Sequence, residues 1–410
     1  MKKFVCVLLL SLMLLGSIPV SAASATVGGV TVEDADFYAR FKGQDITLNV
    51  YNWGEYISDG SDDAPDVIAV FEELTGIDVN YTNFGSNEEM YAKIKSGGAQ
   101  YDIIVPSDYM IGRMIQEGML EKLDMKNIPL YKNIAEEYRG LEYDPNDEYS
   151  VPYLWGLVGI LCNTTMVDVE EVYDWNILWD ERFMGSILMF SNSRDAFGVS
   201  CLRLGYSLNT TDEEELAEAA EELRKQKALV QAYVQDEIYN KMLGGEAALA
   251  PYYAGDAILM MAENEDLAFV YPHAGTNSFV DAMVIPKGSK NKEAAEAFIN
   301  FMCELDVAAA NTIYTGAASP IHAVEEMVEL DDEIRAIMYP DAEIVENSEV
   351  YTALPESTGR LMDAYWTEIL SYNENANMWV GPLFLILCFG GSAFITVYRT
   401  VKKKRLKEMM

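Results

Sequence analysis

The chain has 410 residues and carries 29 Lys and Arg against 66 Asp and Glu, a formal net charge of −37. So acidic a protein repels the phosphate backbone of nucleic acids and attracts cations, which excludes a nucleic-acid partner. There are two histidines and no phosphate-binding loop, dinucleotide-binding glycine pattern or Cys-x-x-Cys pair, so we expect no histidine metal site, no catalytic triad and no cofactor.

The first 25 residues have the composition of a secretory signal peptide. Lys2 and Lys3 precede an apolar run over residues 4–15, and small residues follow up to Ala25. This run is too short to cross comfortably the roughly 30 Å of hydrocarbon in a bilayer, which favours a signal peptide over an N-terminal membrane anchor. We therefore expect residues 1–25 to direct the chain out of the cytoplasm.

Strands and helices alternate through the first part of the chain. Short β-rich runs are followed by stretches in which apolar residues recur at helical spacing. The predicted elements are a strand at 46–53, a helix from 63–65 to Gly76, a strand at 77–81, a helix from a Ser86/Glu89 capping box to Gly97-Gly98, a strand at 102–106 and a short helix ending at Gly118. This alternation predicts mostly parallel sheets covered by helices.

Side chains suited to ligand binding follow two of these strands. The first strand ends in Trp53-Gly54-Glu55-Tyr56 and the third in Ser107-Asp108-Tyr109. In open parallel sheets the ligand binds beyond the carboxyl ends of the strands. Aromatic rings and carboxylates at these ends are unusual for a core, so they indicate a pocket.

The second half of the chain also combines strand and helix patterns. Residues 212–226 are highly charged and predict a helix with a solvated face. Residues 249–256 predict a strand followed by a loop, Asp281 precedes the apolar residues 282–285, and residues 292–303 predict an amphipathic helix. The roughly 350 residues between the two ends are too many for one simple core and suit two lobes.

Near the end of the chain, residues 378–398 lack any charge and are mostly apolar, with Trp379 and Tyr398 at the two ends. Six basic residues follow within 399–410. About 20 apolar residues span a bilayer, aromatic rings favour its interfaces, and basic residues stay in the cytoplasm. We therefore predict a transmembrane helix at 378–398 with a cytoplasmic tail at 399–410; a buried core helix with a basic tail is the alternative.

The part of the chain predicted to lie outside the cell has 21 Lys and Arg against 65 Asp and Glu, a net charge of −44. This charge favours either solubility or the capture of a cation. The cysteines of this part, Cys162, Cys201 and Cys303, show no regular spacing and lie in apolar surroundings, which predicts buried free thiols.

A series of short motifs lies between residues 48 and 362. They are Tyr51-Asn52-Trp53-x-Glu55-Tyr56, Ser86-Asn87-Glu88-x-Met90-Tyr91-Ala92-Lys93, Tyr101-Asp102-x-x-Val105-Pro106-Ser107, Tyr149-Ser150-Val151-Pro152-Tyr153-x-Trp155-Gly156, Leu204-Gly205-Tyr206-Ser207, Ala282-Met283-x-Ile285-Pro286 and Ile299-Asn300-Phe301. In this order they resemble the spermidine/putrescine-binding proteins of bacterial ABC importers.

The resemblance implies an α/β, two-lobed periplasmic-binding-protein-like fold of type II, with mostly parallel sheets flanked by helices. The first lobe would comprise residues 46–155 and the second 156–278, and residues 279–370 would return to the first lobe and supply the closing helices. The chain would cross near 153–157 and 279–286. A polyamine would bind in the cleft, the lobes would close over it, and the permease of the importer would receive it.

The resemblance also implies the side chains that bind the ligand, in both lobes. They are Trp53, Glu55, Tyr56, Ser107, Tyr109, Asp195, Tyr253, Asp256, Phe279 and Asp281. Trp53 and Tyr56 would form an aromatic clamp with Glu55 between them. The late Tyr and Gln positions of the family fall on Ala317 and Tyr351, which leaves Tyr314 and Tyr351 as further candidates.

Four positions differ from the spermidine-binding pattern. Asn192 stands where that pattern has an acid, Tyr253 where the family usually has Trp, and Phe279 where spermidine preference goes with Trp. Asp256 falls where putrescine-preferring members carry an acid. These differences predict that putrescine binds at least comparably to spermidine.

These residue types suit a polyamine, because its methylenes favour aromatic walls and its ammonium groups favour carboxylates and ring faces. Structural roles are also open: Trp53 and Phe279 in a core, Glu55, Asp256 and Asp281 at helix caps, and Asp195 paired with Arg194. Other functions considered are a receptor for an amino acid, with Arg194 as carboxylate ligand, a receptor for ferric ion, and a carboxylate-based glycosidase. We expect a receptor and not an enzyme.

Overall fold

A computed structural model of the chain describes residues 23–61, 64–97 and 100–371. Nearly all of the predicted signal peptide therefore lies outside the described residues, and Ala25 already begins the first strand. The predicted transmembrane helix at 378–398 and the tail at 399–410 also lie outside them. Within the described residues, no helix combines the length and apolar character needed to span a membrane.

The described residues form twelve strands and fourteen α-helices. The strands are β1 (Ala25–Val27), β2 (Val30–Val32), β3 (Thr47–Trp53), β4 (Asp78–Phe84), β5 (Ile103–Ile104), β6 (Ser150–Asn163), β7 (Ile187–Phe190), β8 (Val230–Val234), β9 (Leu249–Tyr253), β10 (Leu267–Val270), β11 (Thr276–Val284) and β12 (Ser348–Val350). The helices are α1 (Ala35–Ala39), α2 (Val67–Thr75), α3 (Asn87–Ser96), α4 (Asp108–Gln116), α5 (Ser193–Leu204), α6 (Glu213–Gln226), α7 (Glu237–Leu243), α8 (Ala254–Glu263), α9 (Lys292–Met302), α10 (Leu305–Thr315), α11 (His322–Met327), α12 (Asp332–Met338), α13 (Ala342–Glu346) and α14 (Glu356–Ser371).

These elements belong to two compact units. Of the described residues, unit 1 contains those up to Gly156, Ala254–Leu259 and Phe279–Asp341. Unit 2 contains Leu157–Tyr253, Met260–Ser278 and the described residues from Ala342 to Ser371. Residues 342–370 therefore group with unit 2, whereas the sequence analysis assigned them to the first lobe.

Unit 1 is built on a sheet in the order β4-β3-β5-β11. β3 is parallel to both β4 and β5, and β11 is antiparallel to β5. Phe71 of α2 packs its ring against Phe298 and Phe301 of α9, with centroids 5.0 and 5.4 Å apart. The parallel pairs confirm the sheet predicted from strand–helix alternation, and they align the ends of β3 and β5 on one edge.

The two ends of α2 agree differently with the sequence prediction. The helix begins at Val67, later than the predicted start at 63–65, and Asp66 caps it because its side chain accepts the N–H of Ala69. The helix ends as expected at Gly76, whose φ of 71° belongs to the left-handed region that glycine adopts without steric strain.

The predicted capping box of α3 forms only in part. Ser86 Oγ accepts the N–H of Glu89 at 3.1 Å, as a capping residue does. Glu89 Oε2, however, accepts the N–H of Gly85 and not that of Ser86. The donor to the Glu89 side chain is therefore the residue before the capping residue. The helix still begins where the sequence indicated.

Unit 2 is built on β7, which is parallel to β8 and β9. β6 is antiparallel to β9 and to β10. Trp175 is fully buried and donates its indole N–H to Gly275 O at 2.9 Å. α6 carries the predicted charged face, with Asp212 as its cap.

α14 is fixed to unit 2 along its length. Trp366 donates its indole N–H to Ser191 O at 3.1 Å, and Ser193 Oγ donates to Asp363 at 2.8 Å. Near Ser371, the last residue of α14 that the structure describes, Lys227 Nζ donates to the carbonyls of Ile369 and Leu370, each at 2.6 Å. Lys227 directly follows α6, so these bonds join α14 to the end of that helix.

The three cysteines predicted as buried free thiols, Cys162, Cys201 and Cys303, are buried and free. Burial raises the pKa of Cys162 to about 11. The pKa of Cys303 is raised to about 12 by burial and by the nearby Glu304. All three thiols are therefore protonated at neutral pH and have a structural role.

Candidate functional site

The centre of the candidate site in unit 1 is a buried carboxylate. Asp281, on β11, is 4% exposed, and its Oδ2 accepts the hydroxyl of Tyr56 at 2.7 Å. Tyr56 is held in turn by Tyr153, which donates to Tyr56 O at 2.7 Å and packs edge-on against its ring. Burial and then the negative charge of Asp281 raise the pKa of Tyr56 well above its usual value. Tyr56 therefore stays a hydrogen-bond donor to the carboxylate.

Asp256 also lies near this pair, although the local structure differs from the prediction. The sequence predicted a loop after β9, whereas α8 begins at Ala254 and carries Asp256 in its first turn. The charge of Asp256 is among the causes of the raised pKa of Tyr56, so the two side chains interact. A carboxylate in the first turn of a helix is stabilised by the N–H groups there.

Glu55 follows β3 in a backbone conformation that is uncommon for residues other than glycine, with φ of 49°. The side chain is exposed, and its Oε2 accepts the hydroxyl of Tyr314 at 2.9 Å. Burial and the bond to Glu55 raise the pKa of Tyr314 to about 12. The structure thus joins Tyr314, a minor candidate in the sequence, to a principal one.

Ser107 and Tyr109 lie at the start of α4, beyond the end of β5. Ser107 forms an isolated antiparallel bridge with Asp281, and its Oγ accepts Asn87 Nδ2 at 3.0 Å. Tyr109 donates its hydroxyl to Glu88 Oε1 at 2.9 Å. Ser107 is therefore next to the buried carboxylate, whereas Tyr109 is turned toward α3.

The aromatic candidates of unit 1 have different surroundings. Phe279 lies against Gly156, where an added Cβ would come within 3.0 Å of the ring. Trp53 packs against Phe84, with centroids 4.5 Å apart, and its indole N–H is buried with no hydrogen-bond partner among the described residues. Tyr56 packs instead beside Tyr153. The clamp of Trp53 and Tyr56 stays a prediction.

The candidates of unit 2 form a second carboxylate–tyrosine pair. Tyr253 donates its hydroxyl to Asp195 Oδ2 at 2.5 Å, and Asn192 Nδ2 donates to the same oxygen at 2.8 Å. Burial raises the pKa of Asp195, while these bonds and the charge of Arg194 act in the opposite direction. Burial and the charge of Asp195 raise the pKa of Tyr253 well above its usual value. Asn192 stands where the spermidine-binding pattern has an acid, and its hydrogen bond orients the carboxylate of Asp195.

Arg194 and Tyr351 form a buried contact beside this pair. The guanidinium lies 4.3 Å from the centre of the Tyr351 ring and donates to Asn209 Oδ1 and Thr352 O. Tyr351 donates its hydroxyl to Arg194 O at 3.1 Å. Arg194 is 6% exposed, so both residues serve the interior of unit 2.

Within residues 23–61, 64–97 and 100–371, no three His, Cys, Asp or Glu side chains are grouped so that they could hold a metal ion.

A model of the bacterial extracellular solute-binding proteins matches residues 100–347 of the chain, more than half of its length. The chain therefore belongs to this family. The relatives are solute-binding proteins and not enzymes, which confirms the expectation of a receptor and overturns the glycosidase alternative.

Among individual relatives, the spermidine/putrescine-binding periplasmic protein of Escherichia coli is 34% identical over 330 residues, which cover 80% of this chain and 91% of that protein. The putrescine-binding periplasmic protein SpuD of Pseudomonas aeruginosa is 30% identical and covers 79% of this chain and 92% of its own. One similar solved structure is that of a putative spermidine/putrescine ABC transporter from Listeria monocytogenes. It has a TM-score of 0.75 and 37% sequence identity, and the match covers 80% of this chain and 99% of that one. These likenesses confirm the periplasmic-binding-protein-like α/β fold.

Several contacts that support the candidate site were not predicted from the sequence. Asp108 was noticed at the end of a strand but not assigned to the site, and it is wholly buried. Its position among apolar residues could have indicated burial. Glu88 as the partner of Tyr109 and Tyr153 as the support of Tyr56 gave no signal in the sequence, because they depend on packing across elements.

Proposed function

We propose that the chain is the receptor of an ABC importer and that its ligand is a polyamine, putrescine or spermidine. The observation that carries the proposal is the buried pair of Asp281 and Tyr56 in unit 1. The relatives bear the names of spermidine/putrescine-binding and putrescine-binding proteins, and the net charge of −37 favours a cationic ligand.

The physical chemistry of the pair fits an alkylammonium group. A buried carboxylate gains a charge-assisted hydrogen bond from an ammonium, which is stronger than a bond between neutral groups. Tyr56 remains protonated and occupies one acceptor position of Asp281 Oδ2, which fixes the carboxylate before the ligand arrives. The nearby Ser107 and Asp256 would add polar contacts for the same ammonium.

Aromatic rings would contact the rest of the ligand. Phe279 lies on the same strand as Asp281, two residues before it, so the two side chains share one face of β11. A cation over an aromatic ring gains about 0.5–2 kcal/mol, and methylenes favour apolar walls. We assign Trp53, Tyr56, Tyr109 and Phe279 to these contacts, with Glu55 as an additional carboxylate.

In unit 2 we assign Asp195 and Tyr253 to ligand binding. They repeat the chemistry of Asp281 and Tyr56, because a tyrosine hydroxyl again donates to a largely buried carboxylate. Arg194, which an amino-acid ligand would require, is instead stacked on Tyr351 and bonded to Asn209.

We further propose that the receptor is tethered to the cell membrane and acts outside the cell. The support is the sequence of residues 378–398 and the basic residues that follow. A tether would raise the local concentration of the receptor at its permease. The loss of polyamine uptake in cells that lack the receptor, with uptake restored by the full chain but not by the Asp281→Asn variant, would test the delivery role.

Calorimetric titration tests the ligand class. Protein freed of bound amines by unfolding, dialysis and refolding is titrated with putrescine, spermidine, arginine and ferric citrate. We expect saturable binding of at least one polyamine and no binding of arginine or ferric citrate. Binding of arginine or ferric citrate without binding of either polyamine would contradict the proposal.

A further inference from the structure

A second buried aspartate, Asp108, contacts the strand that carries Asp281. Asp108 is the first residue of α4, and none of its surface is exposed. Its Oδ1 accepts the N–H of Tyr109 at 2.6 Å, and its Oδ2 accepts the N–H of Val280 at 3.2 Å. A side chain so buried is out of reach of a ligand, so its contacts indicate a supporting role.

The start of α4 explains how a charged side chain is tolerated there. Ser107 is the capping residue, but its side chain makes no capping bond and instead bonds with Asn87. The first backbone N–H groups of a helix need acceptors, and a negative charge is favourable at this end. Asp108 Oδ1 accepts one of these N–H groups, that of Tyr109, and its Oδ2 accepts the N–H of Val280 on β11.

The bond to Val280 acts on Asp281, because the two residues are adjacent. Two contacts hold this stretch of β11. Asp108 Oδ2 accepts the N–H of Val280, and Pro106 O accepts the N–H of Ala282 at 3.1 Å as part of the bridge between Ser107 and Asp281. The backbone is therefore fixed on both sides of Asp281, while Tyr56 fixes its carboxylate.

We infer that Asp108 is a positioning residue that holds the carboxylate of Asp281 where it receives the ammonium of the ligand. The inference rests on the proposed polyamine-binding function. A carboxylate that is ordered before binding loses less conformational freedom when the ligand arrives, which increases affinity. Asp108 would thus strengthen binding without touching the ligand.

A double-mutant cycle tests this role. The dissociation constant of the full chain for putrescine is measured by calorimetry in wild type, Asp108→Ala, Asp281→Asn and the double variant. If Asp108 acts through Asp281, Asp108→Ala weakens putrescine binding about tenfold in wild type and less than about twofold in the Asp281→Asn background, since coupled residues are not additive. The Asp108→Asn variant keeps one acceptor oxygen, so its dissociation constant for putrescine should lie between those of wild type and Asp108→Ala.

Two results would overturn the inference: equal losses for Asp108→Ala in both backgrounds, or unchanged affinity in a folded Asp108→Ala variant. If the Asp108→Ala variant does not fold, the same cycle is measured with Asp108→Asn. We expect this variant to bind putrescine roughly three- to fivefold more weakly than wild type, and we expect no such loss of affinity in the Asp281→Asn background. Failure of the polyamine function itself would be distinct, because wild type would then bind no amine.

Discussion

Replacing Asp281 by Asn removes one negative charge from the candidate site and changes little else. The side chain is 4% exposed, and an amide oxygen can still accept the hydroxyl of Tyr56. The variant therefore keeps its neutral hydrogen bond and loses the charge that would pair with a ligand ammonium. Breaking a buried, hydrogen-bonded charge pair at a binding site typically costs about 2–5 kcal/mol.

We expect the lower part of that range, because Tyr56 remains to orient the amide. A loss of about 2–3 kcal/mol raises the dissociation constant roughly 30- to 150-fold. Because every polyamine carries ammonium groups, putrescine and spermidine should be weakened alike. Calorimetric titration of wild type and variant with both ligands measures the effect.

Asp102 supplies the matched control. It is also a buried aspartate of unit 1, 5% exposed, and it accepts the N–H of Asn49 and the hydroxyl of Ser289. It precedes β5, whereas the candidate site lies beyond the end of that strand. Asp102→Asn should lower stability and leave affinity unchanged. Wild-type affinity in Asp281→Asn, or an equal loss of affinity in Asp102→Asn, would refute the assignment of the site.

Three further predictions concern selectivity, attachment and pH. Asp256→Ser should weaken putrescine more than spermidine in calorimetry, because the resemblance implies that Asp256 stands where putrescine-preferring members carry an acid; equal losses for both ligands would contradict this selectivity. Truncation after Asn377 should move the protein from the membrane fraction to the soluble fraction with polyamine binding intact, because residues 378–398 are removed, and persistence in the membrane fraction would contradict the tether. Burial raises the pKa of Glu304 from 4.5 to about 7, so its stabilising contribution is present below about pH 4.5 and is lost as pH rises through 7. The melting temperature of wild type should therefore fall between pH 5 and 8 by more than that of Glu304→Gln, and equal slopes would exclude this role.

The order and type of the first elements followed from the sequence, because each carried a local signal. Gly76 ends α2 and Ser86 begins α3 where the pattern indicated. The start of α2 was predicted too early, at 63–65. The structure begins this helix at Val67, because Asp66 accepts the N–H of Ala69.

The site was predicted in part, through resemblance more than through pattern. The resemblance identified Tyr56, Asp281, Asp195 and Tyr253, and the structure joins them as two separate carboxylate–tyrosine pairs. The electrostatic interaction of Asp256 with Tyr56 involves the first turn of α8, which begins at Ala254 where the sequence had indicated a loop. The type II assignment, the aromatic clamp and the closure of the lobes stay predictions.

Supporting residues could not be predicted, because their roles arise from long-range contacts. Asp108 reaches Val280, and Tyr314 reaches Glu55, across 172 and 259 positions in sequence. Local patterns carry no information over such separations. A carboxylate within an apolar stretch, as in Asp108-Tyr109-Met110-Ile111, indicates that some partner exists without identifying it.

The central claim, that Asp281 receives an ammonium of a polyamine, is tested most directly by a crystal structure of the protein with putrescine bound. We predict one amine nitrogen within about 3 Å of an Asp281 carboxylate oxygen, the distance of a charge-assisted hydrogen bond. The Tyr56–Asp281 bond of 2.7 Å should be retained. An ordered putrescine whose nitrogens both lie away from Asp281 would contradict the account.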